Sequence, residues 1–457
     1  MSALLAQVGC VSAPASERQR ETLILTLLFL AGLAVLPYIF VPSQPFISDD
    51  YVQVALGRKY GPVSGWSALA GDVLYRARAT SLVLTYWTER FFGFSPEPFY
   101  LSAIFLHVLN TWLVFRLGCR LGMGRRVALF AAAFFAISEG HQEAVMWYAA
   151  LPELLVFFFS LSALLLWSLW LACGSRRAVY YVAALACFCL ALISKESAVV
   201  VVPLLPVVAW RERRAWTWIT PFAVLAAGYT WMTFAGQGRH LHFNDAGTFS
   251  LAAPFWLTLP NSYARLLWIW GLLSLVALVV WRDREHWRIA RRAAIWIAIA
   301  LLPYSFLTYM PRVPSRHTYL ASAGLAWIVA AGATVFYRRL QLWSRWPAYV
   351  LAGVMLAHNC GYIWVKKKAQ FLERALPTEA LVDFARQTDR PVFVRCFPYS
   401  QNIAELAVQM RLGKPPESVI WAKRGSEFSR ACLEEREALP LRASFPEPPL
   451  QSAQQRP

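Results

Sequence analysis

Charged residues are scarce in this chain. They make up 15% of its 457 residues, whereas hydrophobic residues make up 58%, and the mean hydropathy is +0.43. A soluble domain carries about 25% charged residues, so the composition excludes an ordinary soluble fold. The formal charge is +18, yet the basic residues fall in short clusters between apolar runs and form no extended face for nucleic acid. The sequence therefore predicts a polytopic membrane protein that binds no nucleic acid.

Cysteine is also sparse, and it is poorly spaced for a metal site. The eight cysteines are scattered without a CxxC pair, which indicates no zinc site. The first apolar run lacks a small-residue cleavage site and is too long for a signal-peptide core, so it is interpreted as a retained first span. No repeat of 20 to 50 residues is present, which argues against a solenoid.

Eleven apolar runs have the length, or nearly the length, needed to cross a hydrocarbon layer of about 30 Å. They cover residues 23–41, 99–117, 127–138, 151–173, 179–193, 198–210, 216–235, 266–281, 290–309, 319–337 and 346–365. The third, fifth and sixth runs are short. The predicted fold class is an all-α polytopic membrane protein with about 11 transmembrane helices in the segment 23–365.

The arginine clusters predict the orientation of these helices, because short cytoplasmic loops retain Lys and Arg. The clusters lie in the even-numbered loops, at residues 116–126, 176–177, 211–214, 282–292 and 338–345. Residues 1–22 are accordingly predicted to be cytoplasmic, and the first loop, residues 43–98, is predicted to be external. An odd number of spans also places the C-terminal segment outside.

The C-terminal segment has the composition of a small soluble domain. Residues 366–438 are predicted to form an extracytoplasmic α/β appendage with helices at 378–387 and 400–412 and strands at 392–396 and 419–422. Residues 439–457 are rich in proline and are predicted to be a disordered tail. Cys396 and Cys432 can pair in an oxidising exterior, but their spacing alone leaves the pairing open.

The predicted outer face collects ionisable residues of both signs, although each costs up to about 3 kcal/mol at the middle of a membrane. Asp49 and Asp50 follow the first span directly. A carboxylate with a raised pKa can act as general base towards an acceptor hydroxyl. One of the two is the candidate base, and the other is a candidate to orient the acceptor. A divalent cation, with Asp50 as its ligand, is left open.

A second group of residues is suited to a phosphate. Lys195 offers a point charge, and Arg312 and Arg316 offer planar guanidinium groups beside His317. The two arginines are exceptions to the positive-inside trend, which an anionic ligand at the outer surface explains. Binding of lipid headgroups is the alternative explanation. These four residues are predicted to bind the phosphate of a donor.

The remaining polar residues of the outer face are predicted to contact an acceptor or a sugar. They are His141, Glu143, Glu153 and Arg78. A structural explanation stands beside the functional one, since His141 and Glu143 also suit an interfacial turn. Lys195 and Glu196 likewise suit a local ion pair.

Taken in order, several short motifs resemble the GT-C superfamily of polytopic glycosyltransferases, most closely the branch of protein O-mannosyltransferase-like enzymes that often carry tetratricopeptide tails. The motifs are Asp49-Asp50, Arg78-Ala-Thr-Ser81, His107-Val-Leu-Asn110, His141-Gln-Glu-Ala-Val-Met-Trp147, Ser194-Lys-Glu196 and Arg316-His-Thr-Tyr-Leu-Ala-Ser-Ala-Gly324. The chain departs from the family pattern at Ser138-Glu139, Leu151 and Ala321, and it has no tetratricopeptide tail.

The resemblance implies an inverting glycosyltransferase of a bacterial inner membrane. It implies transfer of a sugar from a polyprenyl-phosphate donor to a hydroxyl of a protein, lipid or surface glycan, with Asp49 or Asp50 as base. A lipid phosphate is already a good leaving group, so such a reaction needs cations to receive the charge and no general acid. The alternatives are a transporter or flippase of lipid-linked saccharides, with ionisable groups at mid-membrane, and an inactive assembly subunit.

Overall fold

The computed structural model consists mainly of α-helices. It describes residues 17–172, 177–210, 212–239, 247–308, 311–340, 346–421 and 432–435. The chain divides into two compact units, Met1–Ala375 and Leu376–Pro457. Most of the predicted cytoplasmic N-terminus and all of the predicted tail, residues 439–457, lie outside the described residues.

The helices of the first unit follow the apolar pattern of the sequence, and each of the eleven predicted runs overlaps one of them. In chain order they are α1 (Glu17–Val35), α2 (Asp50–Tyr60), α3 (Trp66–Gly71), α4 (Ala79–Phe92), α5 (Pro96–Arg120), α6 (Arg125–Ile137), α7 (Gln142–Met146), α8 (Leu151–Ala172), α9 (Arg177–Leu192), α10 (Val201–Val208), α11 (Thr220–Ala235), α12 (Phe255–Trp281), α13 (Arg284–Leu301), α14 (Ser322–Leu340) and α15 (Trp346–Gly361).

Among the described residues, six helical segments are long and apolar enough to cross a membrane by length and composition. These segments are Glu21–Ser43, Pro96–Arg120, Tyr148–Ala172, Phe255–Trp281, Arg284–Phe306 and Trp346–Gln387. Two further apolar helices, Ala178–Leu192 and Glu196–Val208, are shorter. The chain is an integral membrane protein, and the number of eleven spans stays a prediction.

Helix α12 begins eleven residues earlier than the apolar run that predicted it. The polar residues that delayed the predicted start are accommodated by hydrogen bonds to the loop before α14. The Asn261 amide donates to the Pro311 carbonyl at 3.3 Å, and the Ser262 hydroxyl accepts from the Val313 N–H at 2.9 Å. Asn261 and Ser262 therefore sit in this helix with hydrogen-bond partners.

Helix α14 lies among other helices on all its sides, since every residue from Ser322 to Gly332 is buried. Two of its glycines permit the close approach of neighbours. A Cβ at Gly332 would lie 2.5 Å from the Cα of Ser274, and one at Gly324 would lie 2.7 Å from the carbonyl oxygen of Ala293. Small residues at such contacts let helix backbones pack closely. The tight packing holds the residues just before α14 in place.

The segment between α1 and α5 contains three short helices, α2, α3 and α4. Helix α2 packs on α4, where the Gln53 amide donates to the Thr85 hydroxyl at 3.1 Å. A Cβ at Gly57 would lie 2.7 Å from Thr85, so the glycine allows the two helices to touch. At the other end of this contact Arg58 pairs with Glu89 at 2.6 Å. The predicted external loop 43–98 is thus helical and supports the start of α2.

The second unit contains the end of one helix, a complete second helix and a three-stranded sheet. Helix α16 (Lys368–Gln387) leads into it, followed by β1 (Val392–Val394), α17 (Gln401–Leu412), β2 (Val419–Trp421) and β3 (Leu433–Glu435). The strand order is β2-β1-β3, with β1 parallel to β2 and antiparallel to β3. Strand β3 was not predicted.

The predicted helix 378–387 was too short, because α16 already begins at Lys368. A π-helical turn, Tyr362–Lys367, joins α16 to α15, so the lysines that ended the predicted span do not end the helix. Gly413 ends α17 with a φ of +69°, as predicted from its glycine. A disulfide joins Cys396 and Cys432 with 5.2 Å between the Cα atoms.

Candidate active site

The first unit contains a cavity of about 750 Å³. We call it the Asp49 cavity. Its polar wall carries Asp49, Arg78, Glu153, Lys195, Glu196, Arg316 and His317, and its apolar wall includes Phe234, Phe249, Leu251, Leu302, Phe306 and Leu307. The cavity therefore brings together acids and cations that lie far apart in the sequence.

Asp49 and Asp50 point in different directions, because they stand at the beginning of a helix. A tight turn with Ser48 at a φ of +39° leads the chain from the first span into α2. Asp49 lines the cavity and makes no capping hydrogen bond to α2. The Asp49 side chain is exposed at the cavity, yet desolvation by the surrounding protein raises the pKa of Asp49 above its ordinary value, while the positive charges of Arg374 and Arg316 lower it.

Asp50 lies inside the protein and does not line the cavity. Its carboxylate accepts hydrogen bonds from the N–H of Ile47 at 3.0 Å, the N–H of Ala149 at 2.8 Å and the hydroxyl of Tyr100 at 3.1 Å. Burial raises the pKa of Asp50 to about 7, against the two backbone hydrogen bonds, which lower it. Asp50 thus ties the start of α2 to the residues before α8.

Glu153 is the centre of a buried network in the polar wall. Its carboxylate accepts from the Lys195 ammonium, from the His317 Nδ1 at 2.5 Å and from the Tyr304 hydroxyl at 3.0 Å. The rings of Tyr304 and His317 stack with 4.5 Å between their centroids. Burial lowers the pKa of Lys195 to about 8, although Glu153 raises it.

His317 is neutral at physiological pH. Burial lowers the pKa of His317 to about 4, and the charge of Lys195 lowers it further, whereas Glu153 raises it. Because a carboxylate only accepts hydrogen bonds, the Nδ1–H of His317 donates to Glu153. His317, which was predicted to bind the donor phosphate, therefore carries no positive charge in the cavity.

Two further ion pairs complete the polar wall. Arg78 pairs with Glu196 at 2.7 Å, and Arg316 pairs with Glu143 at 3.0 Å. The backbone N–H of Arg316 also donates to Glu143 at 3.1 Å. Burial raises the pKa of Glu143, but the charge and hydrogen bonds around Arg316 lower it more, so that the net shift is downward.

Besides Asp50, three predicted site residues do not line the cavity: His141, Glu143 and Arg312. His141 is fully buried, and its Nε2 lies 2.7 Å from the hydroxyl of Ser322. Its neighbour Glu143 points towards Arg316, as two residues on one helical turn diverge. Arg312 is exposed and does not line the cavity. His141 thus supports the packing of α14 beside the short helix α7, which carries Glu143.

Three residues near the site were not predicted: Trp147, Tyr304 and Arg374. Trp147 was noted only as the end of a motif, Tyr304 lay within a predicted span, and Arg374 lay in the predicted appendage. The Trp147 ring lines the cavity and contacts two guanidinium groups, with 5.0 Å from its centroid to Arg316 and 4.6 Å to Arg374. No sequence signal joins Arg374 to Trp147, because the two are 227 positions apart by their residue numbers.

The predicted divalent cation stays open. Within the described ranges, no group of three or more His, Cys, Asp or Glu side chains has the arrangement to hold a metal ion. Asp50, the candidate ligand, uses its carboxylate on the three donors named above.

Comparison with known proteins gives a similarity in fold. No family model and no curated protein sequence matches the chain. Among solved structures, the chain is similar to the crystal structure of ArnT from Cupriavidus metallidurans bound to undecaprenyl phosphate. The identity is 14%, the match covers 84% of each chain, and the TM-score is 0.48. Membership of the GT-C superfamily and of its O-mannosyltransferase-like branch remains a proposal.

Proposed function

We propose that this protein is an inverting glycosyltransferase that moves a sugar from a polyprenyl-phosphate donor to an acceptor hydroxyl at the outer face of the membrane. The observation that carries the proposal is the Asp49 cavity, where a carboxylate without a capping role faces a wall that also holds Lys195 and Arg78. One cavity thereby offers a base and cations for a departing phosphate.

Asp49 is the general base of this proposal. It removes the proton of the acceptor hydroxyl as that oxygen attacks the anomeric carbon of the sugar. The bond between this carbon and the phosphate oxygen breaks, and the polyprenyl phosphate leaves with the electron pair. Direct displacement inverts the anomeric carbon. A base of this kind contributes about 10²- to 10⁴-fold to the rate.

Lys195 and Arg78 are the proposed ligands of the donor phosphate. Both are paired with buried or half-buried carboxylates, Glu153 and Glu196, which hold them in place before the donor binds. Arginine has five N–H donors, and the ion pair with Glu196 uses only part of this set. These preorganised cations would stabilise the charge that develops on the phosphate as the bond breaks.

The apolar wall supports a donor with an isoprenoid chain. The phenylalanine side chains of Phe234, Phe249 and Phe306 lie close together, with ring centroids 6.5 Å apart for the first pair and 5.9 Å for the second. These three rings and the leucine side chains of the apolar wall line the cavity together. A lipid carrier could bury its chain here while its phosphate reaches the polar wall.

The proposed location is the inner membrane of a bacterium, with the N-terminus in the cytoplasm and the second unit outside. The arginine clusters of the sequence support this orientation. The disulfide between Cys396 and Cys432 supports it as well, because disulfides persist in oxidising compartments.

Cells that lack the protein are expected to accumulate its donor. We expect a polyprenyl-phosphate sugar to build up in their membranes, since the reaction that consumes it is missing. Mass spectrometry of the lipid extract measures this compound, and its headgroup identifies the sugar. Wild-type protein supplied on a plasmid should remove it. An unchanged lipid profile in the deletion strain would contradict the proposed function.

As the pH is lowered, the transfer activity is expected to be lost at a higher pH than it would be if the base were an aspartate of ordinary pKa. The base works in its ionised form, so activity is present above the pKa of Asp49 and is lost as the pH falls through it. Because desolvation by the surrounding protein raises that pKa above the ordinary value of 3.8, the acid limb is displaced upward. Transfer rates from pH 4 to pH 9 measure the limb. If the transfer rate does not fall towards low pH in this range while the protein stays folded, that result would argue against Asp49 as base.

The transporter alternative predicts ionisable groups at mid-membrane. In α5, the polar residues His107 and Asn110 instead make hydrogen bonds within the helix packing, although the Asn110 Oδ1 accepts none from the described residues. The His107 Nδ1 lies 2.7 Å from the Tyr319 hydroxyl, and the Asn110 amide donates to the Leu154 carbonyl at 3.0 Å. Neither residue lines the cavity. This arrangement favours an enzyme over a transporter. A role of Asp49 as base in sugar transfer would distinguish an active enzyme from an inactive assembly subunit.

A further inference from the structure

One face of α2 lines the Asp49 cavity. The residues of this face are Asp49, Val52, Gln53 and Leu56, which follow one another at the helical spacing of three and four. The Gln53 N–H donates to the Asp49 carbonyl at 2.8 Å, so one helical turn joins the two residues. Side chains four positions apart on a helix have Cβ atoms about 5–6 Å apart. Gln53 is therefore the polar neighbour of the proposed base on this face.

Hydrogen bonds on α4 determine which atom of the Gln53 amide faces the cavity. The amide nitrogen lies 3.1 Å from the hydroxyl oxygen of Thr85. Thr85 has a single hydroxyl hydrogen, and it donates this hydrogen to the Ser81 carbonyl at 2.7 Å. Thr85 must therefore accept from Gln53, which requires the amide nitrogen on that side. The amide oxygen then points away from Thr85.

The amide oxygen is the part of Gln53 that remains for a ligand. It accepts no hydrogen bond from the residues that the structure describes, and unlike the Asn110 Oδ1 it is not enclosed by the protein. The side chain of Gln53 lines the cavity. Helix α2 thus offers two hydrogen-bond acceptors one turn apart, the Asp49 carboxylate and the Gln53 Oε1. A ligand that binds here satisfies both with two donors.

Tyr75 supplies a hydroxyl to the same cavity. It lines the cavity and packs with Leu56 against the cluster that contains Tyr60. The Asp72 carboxylate holds this loop on α2, because it accepts from the Tyr75 N–H at 3.1 Å and from the Tyr60 hydroxyl at 2.6 Å. Burial raises the pKa of Tyr75, and the charges of Asp72 and Asp49 raise it further, so its hydroxyl stays protonated.

The Tyr75 hydroxyl has no structural hydrogen bond. Over the described ranges of the chain no group donates to it or accepts from it, and it is not enclosed by the protein. A phenolic hydroxyl can donate and accept. Asp49, Gln53 and Tyr75 therefore leave two acceptors and one group of either kind for a ligand.

A sugar residue matches these three groups better than a peptide does. Its reacting hydroxyl can donate to Asp49, and a neighbouring hydroxyl can donate to the Gln53 Oε1. A serine or threonine side chain has only one hydroxyl, and a peptide brings a carbonyl acceptor with every N–H it donates. The pattern of acceptors along α2 therefore favours a polyhydroxylated acceptor.

The position of these groups assigns them to the acceptor and not to the donor phosphate. In an inverting displacement, the base with its acceptor and the leaving phosphate lie on opposite sides of the anomeric carbon. Gln53 shares one helix face with the base. Lys195 and Arg78, the proposed phosphate ligands, are instead held by their own carboxylates.

From this geometry we propose that the acceptor is a sugar residue of a glycan or glycolipid, and that Gln53 and Tyr75 form its binding subsite. The Gln53 Oε1 accepts a hydrogen bond from a hydroxyl next to the one that reacts, and the Tyr75 hydroxyl bonds to the same sugar. The proposal rests on the proposed function and names the class of its acceptor. Gln53 and Tyr75 orient this sugar, and the proton transfer stays with Asp49.

The structure of the product tests the proposal directly. Full-length protein in membranes of the deletion strain would be supplied with the radiolabelled polyprenyl-phosphate sugar that this strain accumulates. After mild acid removes unreacted donor, partial hydrolysis and mass spectrometry identify the labelled fragments. We expect a labelled disaccharide whose second sugar carries a free hydroxyl beside the substituted position. Alkaline borohydride would instead release the label as a single sugar alditol if the sugar were attached to serine or threonine.

Two variants supply the kinetic test. Tyr75→Phe removes only the hydroxyl, and Gln53→Met removes the amide oxygen at nearly constant length while Thr85 keeps its contact with Tyr148. Each is expected to raise the apparent KM for deletion-strain membranes by roughly 2- to 10-fold, because one hydrogen bond to the acceptor is lost. The KM for the donor should stay unchanged. Tyr86→Phe on α4 is the matched control, since Tyr86 does not line the cavity.

The outcomes separate the two proposals. Failure of the wild-type protein to transfer label would overturn the proposed function and this inference with it. Label on serine, threonine or a lipid without a second sugar would overturn the inference and leave the proposed function standing. Because wild-type protein makes the product, this result does not depend on the folding of a variant. An unchanged KM for acceptor membranes in both folded variants, or a raised KM for the donor alone, would also overturn the subsite.

Discussion

Replacing Asp49 with Asn is expected to reduce the rate of sugar transfer by about 10²- to 10⁴-fold, because the amide cannot accept the proton of the acceptor hydroxyl. The two side chains have nearly the same shape, and Asp49 makes no capping hydrogen bond that the change would disturb. The fold should therefore persist. Transfer of label from the purified donor, measured in membranes with equal amounts of protein, checks the expected result.

Two variants sharpen this experiment. Glu97→Gln is the matched control, since Glu97 is an exposed carboxylate at the start of α5 and does not line the cavity. It should transfer at the wild-type rate. Asp50→Asn should lose activity through misplacement of α2 and should also melt earlier. An Asp49→Asn protein as active as wild type would remove the base on which the proposed function depends.

Glu153→Ala is expected to destabilise the protein by about 3–5 kcal/mol, because it leaves charged Lys195 in a buried place without its carboxylate. The side chain of Glu153 is only 4% exposed, and that of Lys195 is 12% exposed, so water replaces the lost partner poorly. The hydroxyl of Tyr304 also loses an acceptor. The fraction of protein that survives heating in a mild detergent, determined by size-exclusion chromatography, measures the loss.

Glu89→Ala is the matched control for this prediction. Glu89 pairs with Arg58, whose side chain is 45% exposed, and surface pairs of this kind contribute about 0–1 kcal/mol. Its loss should hardly change the melting temperature. Adding Lys195→Met to Glu153→Ala should restore part of the stability, since the unpaired buried charge is then absent. If the Glu153→Ala and Glu89→Ala proteins had the same melting temperature, the claim that buried charges around Glu153 stabilise the protein would be contradicted.

The composition alone was enough to predict a membrane protein of helices, because apolar runs of the right length have few other stable arrangements. The pair Asp49-Asp50 was also recognisable as a candidate, since two carboxylates directly after a span are costly without a purpose. Which of the two faces the cavity was not readable, because the turn at Ser48 sets the direction of α2 and a helix separates neighbouring side chains by about 100°.

Other parts of the site depended on contacts that leave no trace in local sequence. The charge of His317 is an example. As a histidine in a basic loop it was predicted to assist phosphate binding, but burial and the charge of Lys195 lower its pKa and keep it neutral, although Glu153 acts in the opposite direction. Arg374 is another, since only the continuation of the last span through a π-helical turn brings this residue to Trp147.

The sequence by itself determined that this chain lies in a membrane, where most of its helices run, with the starts of α12 and α16 as exceptions, and that acids and cations gather between them. Those properties follow from hydrophobicity and charge, which act locally along the chain. The tertiary structure decided which acid remains available and which cations stand beside it. Those choices depend on burial and on partners far away in the sequence, such as Ala149 for Asp50 and Glu153 for Lys195.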